Sequence, residues 1–126
     1  MKHLFTITIL SVLASNFSFG QSSEKIVRDF LSNVRTGLRP GDAKLYMADT
    51  VLAHQVTSES PTTVKRTPAN YTSHVNEFKR LFGNYEFEIT ELIASNDKVY
   101  VRWKQTGKHM AEIDDFEPTQ LPLIEY

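Results

Sequence analysis

The chain contains no cysteine, which excludes disulfides, thiolate nucleophiles, Cys-ligated zinc and iron–sulfur clusters. That absence does not decide the compartment, because an exported protein can do without disulfides. A charge surplus is missing too: 14 Lys+Arg stand against 15 Asp+Glu, a formal net charge of -1. With no basic excess to neutralise a run of phosphates, nucleic acid is not expected as a partner. Acidic tails, basic arms, internal repeats and low-complexity tracts are likewise absent. There is no Gly-rich phosphate loop, no Gly-x-Ser-x-Gly elbow and no dinucleotide fingerprint, so the motifs imply no cofactor. What remains, 126 residues of which 40% are hydrophobic and 23% charged, bounds the chain to one small globular domain.

The one sustained apolar run lies at the start. Met1-Lys2-His3 precedes Leu4 to Ala14, which is too short and too rich in hydroxyls to span a bilayer comfortably. Residues 1–20 read as a secretory signal peptide, with small side chains at Ser18 and Gly20 and cleavage expected between Gly20 and Gln21. An uncleaved anchor is the alternative. Cleavage implies a periplasmic or secreted domain spanning residues 21–126, with no membrane attachment. A lipoprotein anchor would need a cysteine after the cut.

Ser22-Ser23-Glu24 offers a hydroxyl cap and a carboxylate in the first turn of a helix. Ile26, Val27, Phe30, Leu31, Val34 and Leu38 then recur at helical spacing, with Arg28, Asp29 and Arg35 on the opposite face. Gly37 and Pro40-Gly41 end it. Asp42 is expected to cap a short second helix over 43–47, followed by a strand over 51–56. Residues 57–66 show no period and are expected to form the one long loop. Thr67-Pro68 is a cap followed by a first-turn proline, and Tyr71, Val75, Phe78, Leu81 and Phe82 form a stripe that stops at Gly83. From Tyr85 the period becomes two, giving a strand to Ile93, a turn at Ser95-Asn96-Asp97 and a second strand from Lys98 to Gln105. Gly107 is expected to loosen or bulge that strand. Residues 111–122 form an acidic, proline-containing connection, and a further strand starts at Leu123.

This order resembles the nuclear transport factor 2-like superfamily, and within it Val99-Tyr100-Val101-Arg102-Trp103-Lys104-Gln105-Thr106-Gly107-Lys108-His109 resembles the long strand of the SnoaL-like polyketide cyclase group, often labelled ester cyclases. Pro118-Thr119 and Pro122 are similar to the connection before the next strand in those proteins, with Gln120 where glycine is common. The resemblance covers residues 24–126. It implies an α+β cone: a curved antiparallel sheet and three helices in the N-terminal half around an apolar pocket. In the cyclases an aspartate on later strands is the general acid/base. The chain stops at Tyr126, so the domain is expected to lack its C-terminal strands. The implied function is binding of a small hydrophobic carbonyl compound, with acid/base cyclisation or isomerisation and no cofactor. The alternative is a non-catalytic, exported ligand-binding or dimerisation module of the same fold.

His109 shares strand parity with Val101, Trp103 and Gln105, so it either faces the pocket and exchanges a proton or is an exposed residue past the strand end. His54, in an apolar strand, is the second candidate for proton transfer or a satisfied structural residue. Trp103 offers a flat wall for an aromatic ligand, and Gln105 an amide that orients a carbonyl or bonds to neighbouring backbone. Tyr46 and Tyr71 sit on helices that could cover the cone, either as ligand contacts or as packing. The spacing of His54, His74 and His109 matches no compact metal-ligand pattern. A homodimer through an exposed sheet face bearing Tyr100 and Arg102 is a further alternative.

Overall fold

The structure, a computed structural model, describes residues 19–56 and 60–126. The expected signal peptide therefore lies outside the described residues up to position 18. Helix α1 runs over Phe19–Phe30 and continues as a π-helical turn over Leu31–Arg35. A 3-10 helix spans Pro40–Leu45, and α2 spans Pro68–Phe82. The strands are β1 (Val51–Val56), β2 (Pro61–Arg66), β3 (Glu86–Ser95), β4 (Lys98–Lys108) and β5 (Pro122–Glu125). β1 and β2 form an antiparallel hairpin, and a second antiparallel sheet has the order β3-β4-β5. This is the α+β arrangement expected, with helices in the N-terminal half; α1 packs against β3 and β4, and the 3-10 helix lies against α2.

Local chemistry accounts for the ends of α2. The Thr67 hydroxyl accepts from the Asn70 N–H at 3.2 Å, while the Asn70 side chain accepts from the Thr67 N–H at 2.9 Å. That reciprocal box satisfies two groups that a helix start otherwise leaves open, and Pro68 supplies a first-turn φ at no cost. Gly83, at φ +68°, takes the left-handed turn that ends the helix.

Four expectations are corrected. The 57–66 segment is not all loop, because residues 61–66 form β2, in register with β1 from Val51↔Arg66 to Val56↔Pro61. Its threonines and Val64 favour extended backbone, but with Pro61 at one end and an exposed outer face they carry no clean alternation. The second helix is a 3-10 helix that starts at Pro40, and Asp42 does not cap it. In the first helix, the π-turn closes with the Thr36 N–H donating to the Leu31 carbonyl five residues back. An extra residue in a turn rotates everything after it by about 100°. Arg35, the last residue of this turn, lies inward and is only 9% exposed, while Leu38, in the bend after Gly37 at φ +76°, lies beyond the helix and is 71% exposed. Gly107 does not bulge β4, which pairs regularly with β5 from Gln105↔Glu125 to Lys108↔Pro122. A Cβ at Gly107 would lie 3.1 Å from the Phe82 Cβ, so the missing side chain lets the end of α2 approach the sheet closely.

The bulge lies in β3 instead. Ile89 pairs with Trp103 and Glu91 with Arg102, leaving Thr90 without a partner. One inserted residue reverses strand parity, so Phe87, Ile89, Leu92 and Ala94 all face inward and Ile93 faces out. On β4, Val99, Val101, Trp103 and Gln105 take the inner face, and Tyr100 and Arg102 are exposed on the other. Val34, Ala43 and Val75 are fully buried, ringed by Phe30, Tyr46, Met47 and Tyr71.

Candidate active site

Between α1, β1, α2 and the inner face of β4 lies a cavity of about 640 Å³. Phe30, Tyr71, Phe78 and Trp103 give it aromatic walls, and Val27, Leu31, Met47 and Val51 complete an apolar surface. Its size suits a small aromatic or polycyclic molecule. The Phe30 and Tyr71 rings pack at 5.2 Å, and Trp103 stacks on Phe87 at 5.4 Å, which fixes the indole as a wall.

Few polar groups enter this space. Arg35, turned inward by the π-turn, spreads its guanidinium over the Phe78 ring at 5.4 Å and the Trp103 ring at 5.1 Å. Its carboxylate neighbour, Glu125 on β5, is 3.7 Å away, an ion pair too long for a hydrogen bond. Arg66, at the end of β2, faces the cavity because its register partner Val51 does. Tyr71 and His74 are one turn apart on α2, with rings 6.0 Å apart. Burial pushes the His74 imidazole below its ordinary value of 6.5, and the Arg66 and Arg35 charges push it further, against a smaller opposing pull from Glu125. Burial also raises the Tyr71 phenol above its ordinary value, opposed by the same two arginines. At neutral pH the cavity thus holds a neutral imidazole able to accept a proton and a phenol able to donate a hydrogen bond.

Of the residues singled out from sequence, Trp103, Tyr46 and Tyr71 line the cavity together. The Tyr46 hydroxyl accepts from Asn33 Nδ2 at 2.9 Å, and its ring packs edge-on to Phe30. Gln105 lies deeper on the same inner face, 2% exposed, with neither amide atom hydrogen-bonded; its cross-strand partner Glu125 reaches the cavity. Gln105, His54 and His109 are not among the lining residues. His54 has the opposite parity to Val51, Ala53 and Gln55, so it points to solvent and shares a 2.8 Å hydrogen bond with the Thr63 hydroxyl. His109 lies just past β4, where its Nδ1 accepts from the Thr119 N–H at 3.3 Å and lies 3.2 Å from the Thr119 hydroxyl. The Gly-x-His and Pro-Thr pieces therefore meet each other, and the contact closes the connection onto the strand end.

Sequence reasoning missed Arg35, Arg66, His74 and Glu125. A signal for His74 was present: it sits three residues after Tyr71 and four before Phe78, within the apolar stripe of α2. Arg35 had a weaker one: it sits four residues after Leu31 and eight after Val27, at the edge of the apolar stripe, where its charge argued for the polar face. Among the described residues, no three His, Asp or Glu side chains are grouped so as to hold a metal ion.

The sequence model of the SnoaL-like polyketide cyclase family matches residues 25–123. No curated protein is significantly similar to the chain. Among solved structures, a candidate polyketide cyclase from Acidithiobacillus ferrooxidans superposes with a TM-score of 0.65 at 20% identity, over 81% of this chain and 72% of that one. AclR, a candidate hydroxylase from Streptomyces galilaeus, superposes with a TM-score of 0.60 at 14% identity, over 83% of this chain. The chain spans 62% of the length of AclR. Together these likenesses give the fold as the nuclear transport factor 2-like α+β type.

Proposed function

The chain belongs to the SnoaL-like polyketide cyclase family, and from that premise we propose that it binds a small hydrophobic carbonyl compound and moves a proton at the carbon next to the carbonyl. The observation that carries this reading is the pairing of Tyr71 and His74 on one face of α2, at the wall of an aromatic cavity. His74 takes the α-proton. Its imidazole is neutral because the surroundings disfavour the charged form, so it is ready as a base. Negative charge then develops on the carbonyl oxygen, where the Tyr71 phenol donates a hydrogen bond and the Arg35 and Arg66 charges stabilise the enolate. Apolar walls exclude water and strengthen each of these interactions. Trp103 and Phe30 hold the ligand's rings. The enolate carbon adds to a second carbonyl of the same molecule, whose π electrons go to its oxygen and whose oxygen takes the proton back from His74, closing a ring; in an unsaturated ligand His74 instead returns the proton to a conjugated carbon, giving isomerisation. Export through the 1–20 leader belongs to the same proposal.

The test is exchange of the α-protons of 2-tetralone into deuterated water, followed by proton NMR. Wild-type chain is expected to accelerate exchange over buffer, with a rate that rises with pH and levels off above a midpoint below 6.5, since a base with a lowered pKa is active once deprotonated. His74→Gln removes that limb and about 100-fold of the rate. If wild-type exchange equals the buffer rate while 2-tetralone quenches Trp103, catalysis is overturned and the binding-module reading takes its place.

A further inference from the structure

We propose that the cavity's ligand carries a carboxylate, held between Arg66 and Arg35. The proposal rests on the reading of the cavity as a site for a hydrophobic carbonyl compound and adds a charge to that compound. Two guanidiniums and one carboxylate face this space, and His74 is neutral there. The cavity is therefore one positive charge in excess. Arg35 is 9% exposed, yet its compensation is two ring faces and a carboxylate at 3.7 Å. Arg66 has no ion-pair partner among the described residues. Cations withdrawn from water without close partners cost free energy that an anion in reach recovers. Both act on the same ligand space, because both line it.

A carboxylate fits this arrangement better than other anions. Its two oxygens match the fork of a guanidinium, and a monoanion balances a surplus of one. The aromatic walls then take the rest of the molecule, which leaves an aryl carboxylic acid or a keto acid with an aromatic body as the ligand class. With its carboxylate on Arg66, such a molecule extends its rings toward Phe30 and Trp103 and its α-carbon toward His74.

Calorimetric titration of the 126-residue chain with 2-naphthoate, methyl 2-naphthoate and 2-naphthyl phosphate at pH 7, with quenching of Trp103 to report the site, tests this. The naphthoate is expected to bind at least about tenfold tighter than its methyl ester, the worth of one charge-assisted contact. Arg66→Gln should abolish that preference, bringing naphthoate and ester to equal affinity, and Arg66→Lys should keep part of it. Ester binding as tight as naphthoate overturns the carboxylate and leaves the apolar-cavity reading standing. Tighter binding of the phosphate overturns it in favour of a phosphoryl group. A preference that survives in Arg66→Gln overturns the assignment to Arg66. Absence of binding by all three overturns this proposal together with the reading beneath it.

Discussion

Gln120 shows how one position carries both sequence history and strain. Its φ of +59° lies in the left-handed region, where a side chain crowds its own carbonyl and glycine does not. Glycine is common there in the proteins this sequence resembles, so Gln120→Gly is expected to stabilise the chain by about 1 kcal/mol. Urea unfolding checks it; the Gln120 N–H to His109 carbonyl bond at 3.0 Å is backbone and survives the change, so a lower midpoint in the variant would show that glycine's freedom in the unfolded chain outweighs relief of φ. The candidate site obeys the same residue-scale logic. Trp103, Tyr46 and Tyr71 were legible because large aromatic side chains on an inner face have few places to go. Gln105 was legible as a polar residue in an apolar row. His54 and His109 look identical to a pocket histidine in sequence, and a hydrogen bond to a threonine occupies each of them instead.

At the scale of the element, two irregularities decide which side chains meet. The π-turn over Leu31–Arg35 and the bulge at Thr90 each insert one residue, and each re-aims the side chains after it. Regular helical spacing puts Val34 and Leu38 on one face, yet Val34 is fully buried and Leu38 is exposed. Val34→Ala should therefore cost about 2 kcal/mol, while Leu38→Ala should stay within about 0.5 kcal/mol of wild type. Paired urea titrations read the contrast, and equal losses at both positions would argue that the helix does not end before Gly37 and carries Leu38 onto the buried face. The sequence hint for the bulge was the step of three from Ile89 to Leu92, which no unbroken strand can put on one face. No comparable hint marks the π-turn, since its cost is met by burial of Val34 and by the rings around Arg35, contacts made with α2 and β4 rather than within the helix.

For the whole molecule, the core is small, with much of its apolar surface around the cavity rather than filling it. Were residues 1–20 removed, as proposed, α1 would lose only Phe19 and Gly20, while Ile26, Val27 and Phe30 would stay at the cavity. Expression with export should yield a chain starting at Gln21, which intact-mass measurement reads directly; retention of the full mass would favour an anchor. The sequence by itself determined the α+β class, the capped ends of α2, the β3–β4 hairpin and the family, because caps, periodicity and turn residues act between neighbours a few positions apart. Only the tertiary structure decided that β2 pairs with β1, that Arg35 turns inward and that His74, Arg66 and Glu125 share one cavity. Those groups come from four separate elements, and whether a polar side chain is buried beside them depends on packing across the chain, which no local pattern encodes.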